Sequence, residues 1–304
     1  MEKMIPVEDS FERGSLKIHY YKYPNPGKPL LVGLHGYNDT GRTFEFLLPF
    51  LARHFELIFP DWRGHGFSGG LTDGYYNPTI LLGDLAKFTG ELRKPYHLLG
   101  HSMGASAAAR FAGIFPEEIA SLVLFEGFVG LSPVEEEQRR LKSWLTNLRQ
   151  PRPKKKLRVM KSKKSVMEML SIMHPALNEE KLEVLSGYLA RPLPEGGFVW
   201  HYDPDFRSLF SPLPFPPLLS RQLWESIACP TMILYGTDTH LRPGGKSKEE
   251  IQKKPNPELE EILGHFKHLE YHEIEDAGHN MHHDRPEEVI HLMENFYKKH
   301  SITE

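Results

Sequence analysis

The chain has 304 residues, 39% of them hydrophobic and 25% charged, with a formal net charge of −3 and a single cysteine. That length suits one elaborated α/β domain, and the near-neutral balance exclusive to neither sign gives no overall attraction to nucleic acid or to a membrane surface. No apolar run approaches the ~18 residues of a spanning helix, residues 1–10 lack a hydrophobic signal core and Cys229 has no disulfide partner, so the expected location is cytoplasmic, without stable membrane insertion.

In chain order, Ser15–Tyr23 alternates like a half-exposed strand and suits an antiparallel edge. Leu30–Leu34, Leu57–Phe59, Tyr96–Leu99, Leu122–Phe125 and Thr231–Tyr235 are short apolar runs without strict alternation, the pattern of strands buried on both faces. Between most of them, Thr43–His54, Pro78–Leu92 and Met103–Phe115 space their apolar residues by three and four, as does Pro286–Lys299 at the end. The alternation predicts an α/β fold, a mostly parallel sheet with helices on both faces. From about Gly127 to Ser226 the rhythm stops and the composition turns basic, Met-rich and Pro-rich, which predicts a helical insertion without clear strands. Ser165–Met173 and Glu179–Ala190 read as its helices, and Leu213–Pro217 is too proline-rich for regular helix. The expected units are therefore a core, 1–127 with 227–304, and an inserted cap, 128–226. The run 149–164 holds nine Lys or Arg and no acid; it reads as a solvated connection rather than an anion-binding or lipid-binding patch.

Gly100-His101-Ser102-Met103-Gly104 stands between an apolar strand and an Ala-rich helix. In that setting a sharp turn lifts the serine hydroxyl above the sheet, so Ser102 is the candidate nucleophile. A serine needs a base, an acid to orient the base, and donors for the oxyanion. His279, in the turn after Ile274 and before the last helix, is the candidate base among 17 histidines. His35-Gly36, at the end of the first core strand, reads as a loop close to substrate, and the amides of Tyr37 and Met103 are the candidate oxyanion donors. Asp61 to Ser68 is expected to fix its own loop by hydrogen bonds, with His65 structural. His282-His283-Asp284 lacks the spacing of a metal site and no nucleotide-binding motif is present, so no cofactor is expected.

His35-Gly36, Asp61-x-Arg63-Gly64-His65-Gly66-x-Ser68, Gly100-x-Ser102-x-Gly104 and Gly278-His279 together resemble the α/β-hydrolase fold superfamily in its serine-nucleophile branch. The resemblance covers the chain outside the insertion. It implies an eight-stranded, mostly parallel sheet, a helical cap over the pocket and a Ser–acid–His triad. Trp200-His201-Tyr202-Asp203-Pro204 is similar to the branch of serine hydrolase-like proteins and haloalkane dehalogenase relatives. The usual acid position after the seventh strand holds Thr239, with Asp238 one place early. Relatives of the dehalogenases carry a glutamate at the end of the sixth strand, where this chain has Glu126. Glu126 is the preferred acid and Asp238 the alternative.

A serine nucleophile implies acyl transfer, hence an esterase-like hydrolase taking a small ester, thioester or lactone. Cap residues including Met160, Met167 and Leu170 are expected to line an apolar acyl pocket, with Met167 and Leu170 the substrate-binding candidates together with His35 and Gly36. The competing readings are a carbon–carbon bond hydrolase or cofactor-free perhydrolase, and a non-catalytic binding protein on the same scaffold.

Overall fold

The computed structural model describes residues 4–71, 73–128, 134–149, 158–212, 215–239 and 256–303. The chain opens with β1 (Val7–Arg13) and β2 (Leu16–Tyr23), an antiparallel pair. There follow β3 (Leu30–Leu34), α1 (Leu48–His54), β4 (Glu56–Pro60), α2 (Pro78–Thr89), β5 (Tyr96–His101), α3 (Met103–Ile114) and β6 (Ile119–Phe125). The insertion carries α4 (Val134–Leu148), α5 (Lys163–Met173), α6 (Glu179–Leu189), a short antiparallel pair β7 (Ala190–Pro192) and β8 (Phe198–Trp200), and the single turn α7 (Phe206–Leu209). The core resumes with α8 (Pro217–Ser226), β9 (Thr231–Gly236), α9 (Pro257–Leu263), β10 (Leu269–Ile274), α10 (Met281–Asp284) and α11 (Pro286–Lys299).

Eight strands form one sheet in the order β1-β2-β4-β3-β5-β6-β9-β10, parallel from β4 through β10. All residues of β3, β5 and β9 are buried, as strands covered on both faces must be. Their side chains alternate between two cores, as the two-residue period of a strand requires. Val32, Leu34, Leu98, Leu124 and Ile233 pack with α2, α3, α8 and α9, whereas Leu31, Leu57, Leu99, Val123 and Met232 pack with α1 and α11.

Three sequence expectations change. The Ser15–Tyr23 strand is not the edge: β1 pairs outside it, and most of the residues in β1 are exposed, leaving no apolar run to announce it. The insertion is not purely helical, since β7 and β8 pair within it and Met160 bridges to Phe198. Its end also falls before Pro217 rather than at 226, because Trp224 of α8 belongs to the same core cluster as the alanines of α3. An amphipathic helix shows which face is apolar but not which partner it meets. Of the 149–164 run, residues 150–157 lie outside the described residues; Lys163 pairs with Glu183 at 3.0 Å. Residues 213 and 214 of the proline-rich stretch also lie outside them, and α8 begins at Pro217, where a missing amide donor costs a helix nothing. Among the described residues no helix is long and apolar enough to cross a membrane.

Candidate active site

The parallel strands end at one edge of the sheet, and the candidate residues stand on the loops leaving them. Ser102 links β5 directly to α3 with φ 53° and ψ −115°, a backbone that side chains rarely adopt. Its amide donates to Phe125 O at 2.8 Å, locking the elbow to the end of β6. The turn needs a small residue on its helical side: a Cβ on Gly104 would lie 2.1 Å from the Leu34 carbonyl oxygen. On the other side, a Cβ on Gly36 would lie 2.8 Å from His101 Nδ1 and 3.2 Å from Ser102 Cβ, so the loop after β3 runs directly against the elbow.

Glu126 follows β6, also at positive φ, 48°, with its side chain buried. Its Oε2 accepts from His279 Nδ1 at 2.6 Å and from the Thr239 hydroxyl at 2.5 Å; its Oε1 accepts from the Gly236 amide at 2.9 Å. Three donors converge on one carboxylate, which fixes its rotamer. Thr239, in the position where the resemblance places an acid, donates instead to the Glu126 carboxylate at the end of the neighbouring strand. Asp238 is set by its own amide, which donates to Ala277 O at 2.9 Å.

His101, inside the pentapeptide, was not singled out from sequence. It donates from Nε2 to the His279 carbonyl at 3.1 Å, its ring centre 4.8 Å from that of His279 and 4.5 Å from that of His282. Burial pushes His101 and His282 well below the usual histidine value and holds His283 down to about 3. His283 Nε2 donates to Thr43 O at 2.9 Å, and Asp284 accepts from the Gly278 amide at 2.9 Å, so this stretch shapes the His279 turn.

The loop-fixing roles have clear geometry. Asp61 is fully buried and accepts from the Gly41 amide at 2.7 Å, the Phe67 amide at 3.0 Å and His19 Nδ1 at 2.9 Å. His65 accepts from the Asn38 amide at 3.2 Å and donates to Arg63 O at 3.2 Å. The His35 ring is fully buried, with Nδ1 donating to Gly36 O at 2.7 Å and Nε2 accepting from the Trp62 amide at 2.9 Å. Burial holds it down to about 4, so it stays neutral and braces the loop. Tyr37 follows Gly36 in the loop that runs against the elbow, and Met103 opens α3 directly after Ser102.

The sequence matches the alpha/beta hydrolase family over residues 31–292. The protein belongs to the alpha/beta hydrolase family. The chain is 30% identical to a serine hydrolase-like protein of Danio rerio over 59% of its own length and 56% of that relative, so it spans little more than half of it. It is 24% identical to monoacylglycerol lipase abhd6-B of Xenopus laevis, over 93% of its length and 80% of the relative. Among solved structures, the thioesterase domain from the curacin biosynthetic pathway superposes with a TM-score of 0.78 at 23% identity, covering 96% of this chain and all of that one, a likeness of fold.

The insertion is tied to the core through the loops just described. Gly66 N donates to His201 O at 2.7 Å, Asp203 N to Gly64 O at 2.7 Å and the Tyr76 hydroxyl to Asp203 at 2.7 Å. On the other side, Lys181 donates to His283 O at 2.9 Å and lies over the Phe46 ring. Leu170 is fully buried with Val166, Leu182 and Leu185 in a cluster within the insertion, which also buries Met160 and has Met167 packed against it. A helix of an inserted unit must first bury one face against its own neighbours, and these residues serve that purpose.

Proposed function

We propose that the protein is a serine hydrolase that cleaves carboxylic esters or thioesters through an acyl-enzyme, with Ser102 as nucleophile, His279 as base and Glu126 as the acid. The observation that carries this reading is the 2.6 Å bond from His279 Nδ1 to the buried Glu126 carboxylate, beside a serine held at a strained elbow. Glu126 fixes the Nδ1–H tautomer, leaving Nε2 to take the Ser102 proton as Oγ attacks the acyl carbon. The Tyr37 and Met103 amides receive the negative charge that develops on the carbonyl oxygen. Collapse of the tetrahedral intermediate expels the alkoxide or thiolate, which takes the proton from His279. Water, deprotonated by the same nitrogen, then releases the acid and restores Ser102. Family membership supports a hydrolase, and the names of the lipase relative and the thioesterase neighbour support an acyl carbonyl as the target.

The test is labelling by a fluorescent fluorophosphonate together with turnover of short 4-nitrophenyl esters. Ser102→Ala should lose both while keeping its circular dichroism and melting temperature. Turnover that survives in Ser102→Ala removes the mechanism.

A further inference from the structure

The Ala-rich helix α3 contains a largely buried cation with no acid paired to it among the described residues. α3 presents Ala105, Ala108, Ala109 and Ala112 to the core, yet Arg110 lies on the same helix, its guanidinium carbon 4.8 Å from the centre of the Phe215 ring. Nη1 donates to the Ser106 carbonyl at 2.9 Å and to the Ser106 hydroxyl, while Nε is buried with no hydrogen-bond partner among the described residues. Arg63 and Arg42, by contrast, each hold a carboxylate through two nitrogens, on Asp84 and Glu45. Burial alone pushes Arg110 down to about 10, with no acid opposing it. Its placement adds to the cost. The guanidinium reaches back to Ser106, about 6 Å along the helix axis from Ser102, towards the positive end of the α3 dipole. A desolvated cation in a positive field is poorly explained by stability, and its free donor faces the need for an anion.

We propose that Arg110 recognises a carboxylate carried by the substrate a few carbons from the scissile carbonyl. This rests on the serine-hydrolase reading and narrows its substrates to half-esters or half-thioesters of short dicarboxylic acids. The guanidinium binds the distal carboxylate through charge-assisted hydrogen bonds, and the acyl carbon then sits one helical turn away at Ser102.

The experiment compares mono-4-nitrophenyl glutarate with 4-nitrophenyl pentanoate, its neutral counterpart, on wild type, Arg110→Gln and Arg110→Lys. Wild type should favour the glutarate ester at least about tenfold in kcat/KM, the worth of one charge-assisted contact. Arg110→Gln should bring the ratio to about one through a higher KM for the glutarate ester, and Arg110→Lys should fall between. Melting temperature separates this from a structural role: Arg110→Gln should melt no lower than wild type, because it removes an uncompensated charge. Sodium glutarate, against sodium chloride of equal ionic strength, should raise the wild-type melting temperature and leave that of Arg110→Gln unmoved. That shift needs no turnover, so it decides on Arg110 even if Ser102 proves inert. Equal handling of the two esters by wild type, a preference that survives in Arg110→Gln, or a glutarate shift unchanged by the substitution would overturn the proposal.

Discussion

Replacing Glu126 by Gln separates the two acids that the sequence offered. Oε2 accepts from His279 and Thr239, and Oε1 from Gly236. A glutamine has one acceptor oxygen where the carboxylate has two. Turned one way it faces its NH2 towards the Gly236 amide; turned the other it faces it towards both His279 and Thr239. The first costs fewer contacts, so His279 keeps a hydrogen bond but loses the charge that stabilises its protonated form in the transition state. Breaking a buried, hydrogen-bonded charge pair costs about 3–5 kcal/mol. If that loss falls on the transition state, kcat drops by about two to four powers of ten. The assay is steady-state turnover of 4-nitrophenyl acetate with the fluorophosphonate labelling rate alongside, and the melting temperature as control. Asp238→Asn should stay within about threefold of wild type, since the His279 Nδ1 hydrogen bond goes to Glu126. A Glu126→Gln enzyme within threefold of wild type, or an Asp238→Asn enzyme as crippled, would refute the reasoning.

His101→Leu removes the donor that ties the elbow to the His279 carbonyl; kcat and labelling rate should fall together about fivefold to tenfold at unchanged KM, and His101→Gln, which can donate, should recover most of it. Gly104→Ala places a methyl against the Leu34 backbone, which cannot move aside; urea denaturation should show a loss of about 1–3 kcal/mol or more, and a wild-type midpoint would contradict the close approach. Burial holds His35, His97 and His174 down to about 4 and His283 to about 3, against about 6.5 in an unfolded chain. Below pH 6.5 the unfolded chain takes protons that the fold refuses, so each such histidine removes up to about 1.4 kcal/mol of stability per pH unit of acidification until its folded value is reached. Asp39, pushed up to about 7 by burial, acts oppositely, its contribution falling as pH rises between about 4 and 7. Several histidines outweigh one aspartate, so the urea midpoint should drop steeply from pH 7 to pH 5; a flat profile would contradict the assignment.

The parts of the molecule that were legible in the sequence are those whose surroundings are uniform. β3, β5, β6 and β9 are mostly apolar because both their faces are covered, and the elbow is legible because its glycines are forced by neighbouring backbone. β1 was missed because much of it faces solvent, and β7 and β8 because three residues carry no period. Leu170 and Trp224 were assigned to the wrong surroundings for one reason: an apolar side chain says that it is buried, and the long-range packing decides among what. The acid stayed divided between Glu126 and Asp238 because orientation across two neighbouring strands is a property of register, which a linear sequence does not contain.

The insertion leaves and rejoins the core beside one helix. Gly127, where it departs, lies against Ala105 and Ser106, and Phe215, where it returns, lies beneath the guanidinium of Arg110 on the next turn. A segment anchored this way closes a loop whose ends the scaffold already holds near each other, and the entropy of such a loop grows only slowly with its length. The cap is thus a module that can be lengthened, shortened or exchanged for another while the sheet and the Glu126–His279 pair stay in place. Evolution can therefore change what the scaffold admits without rebuilding the machinery that acts on it.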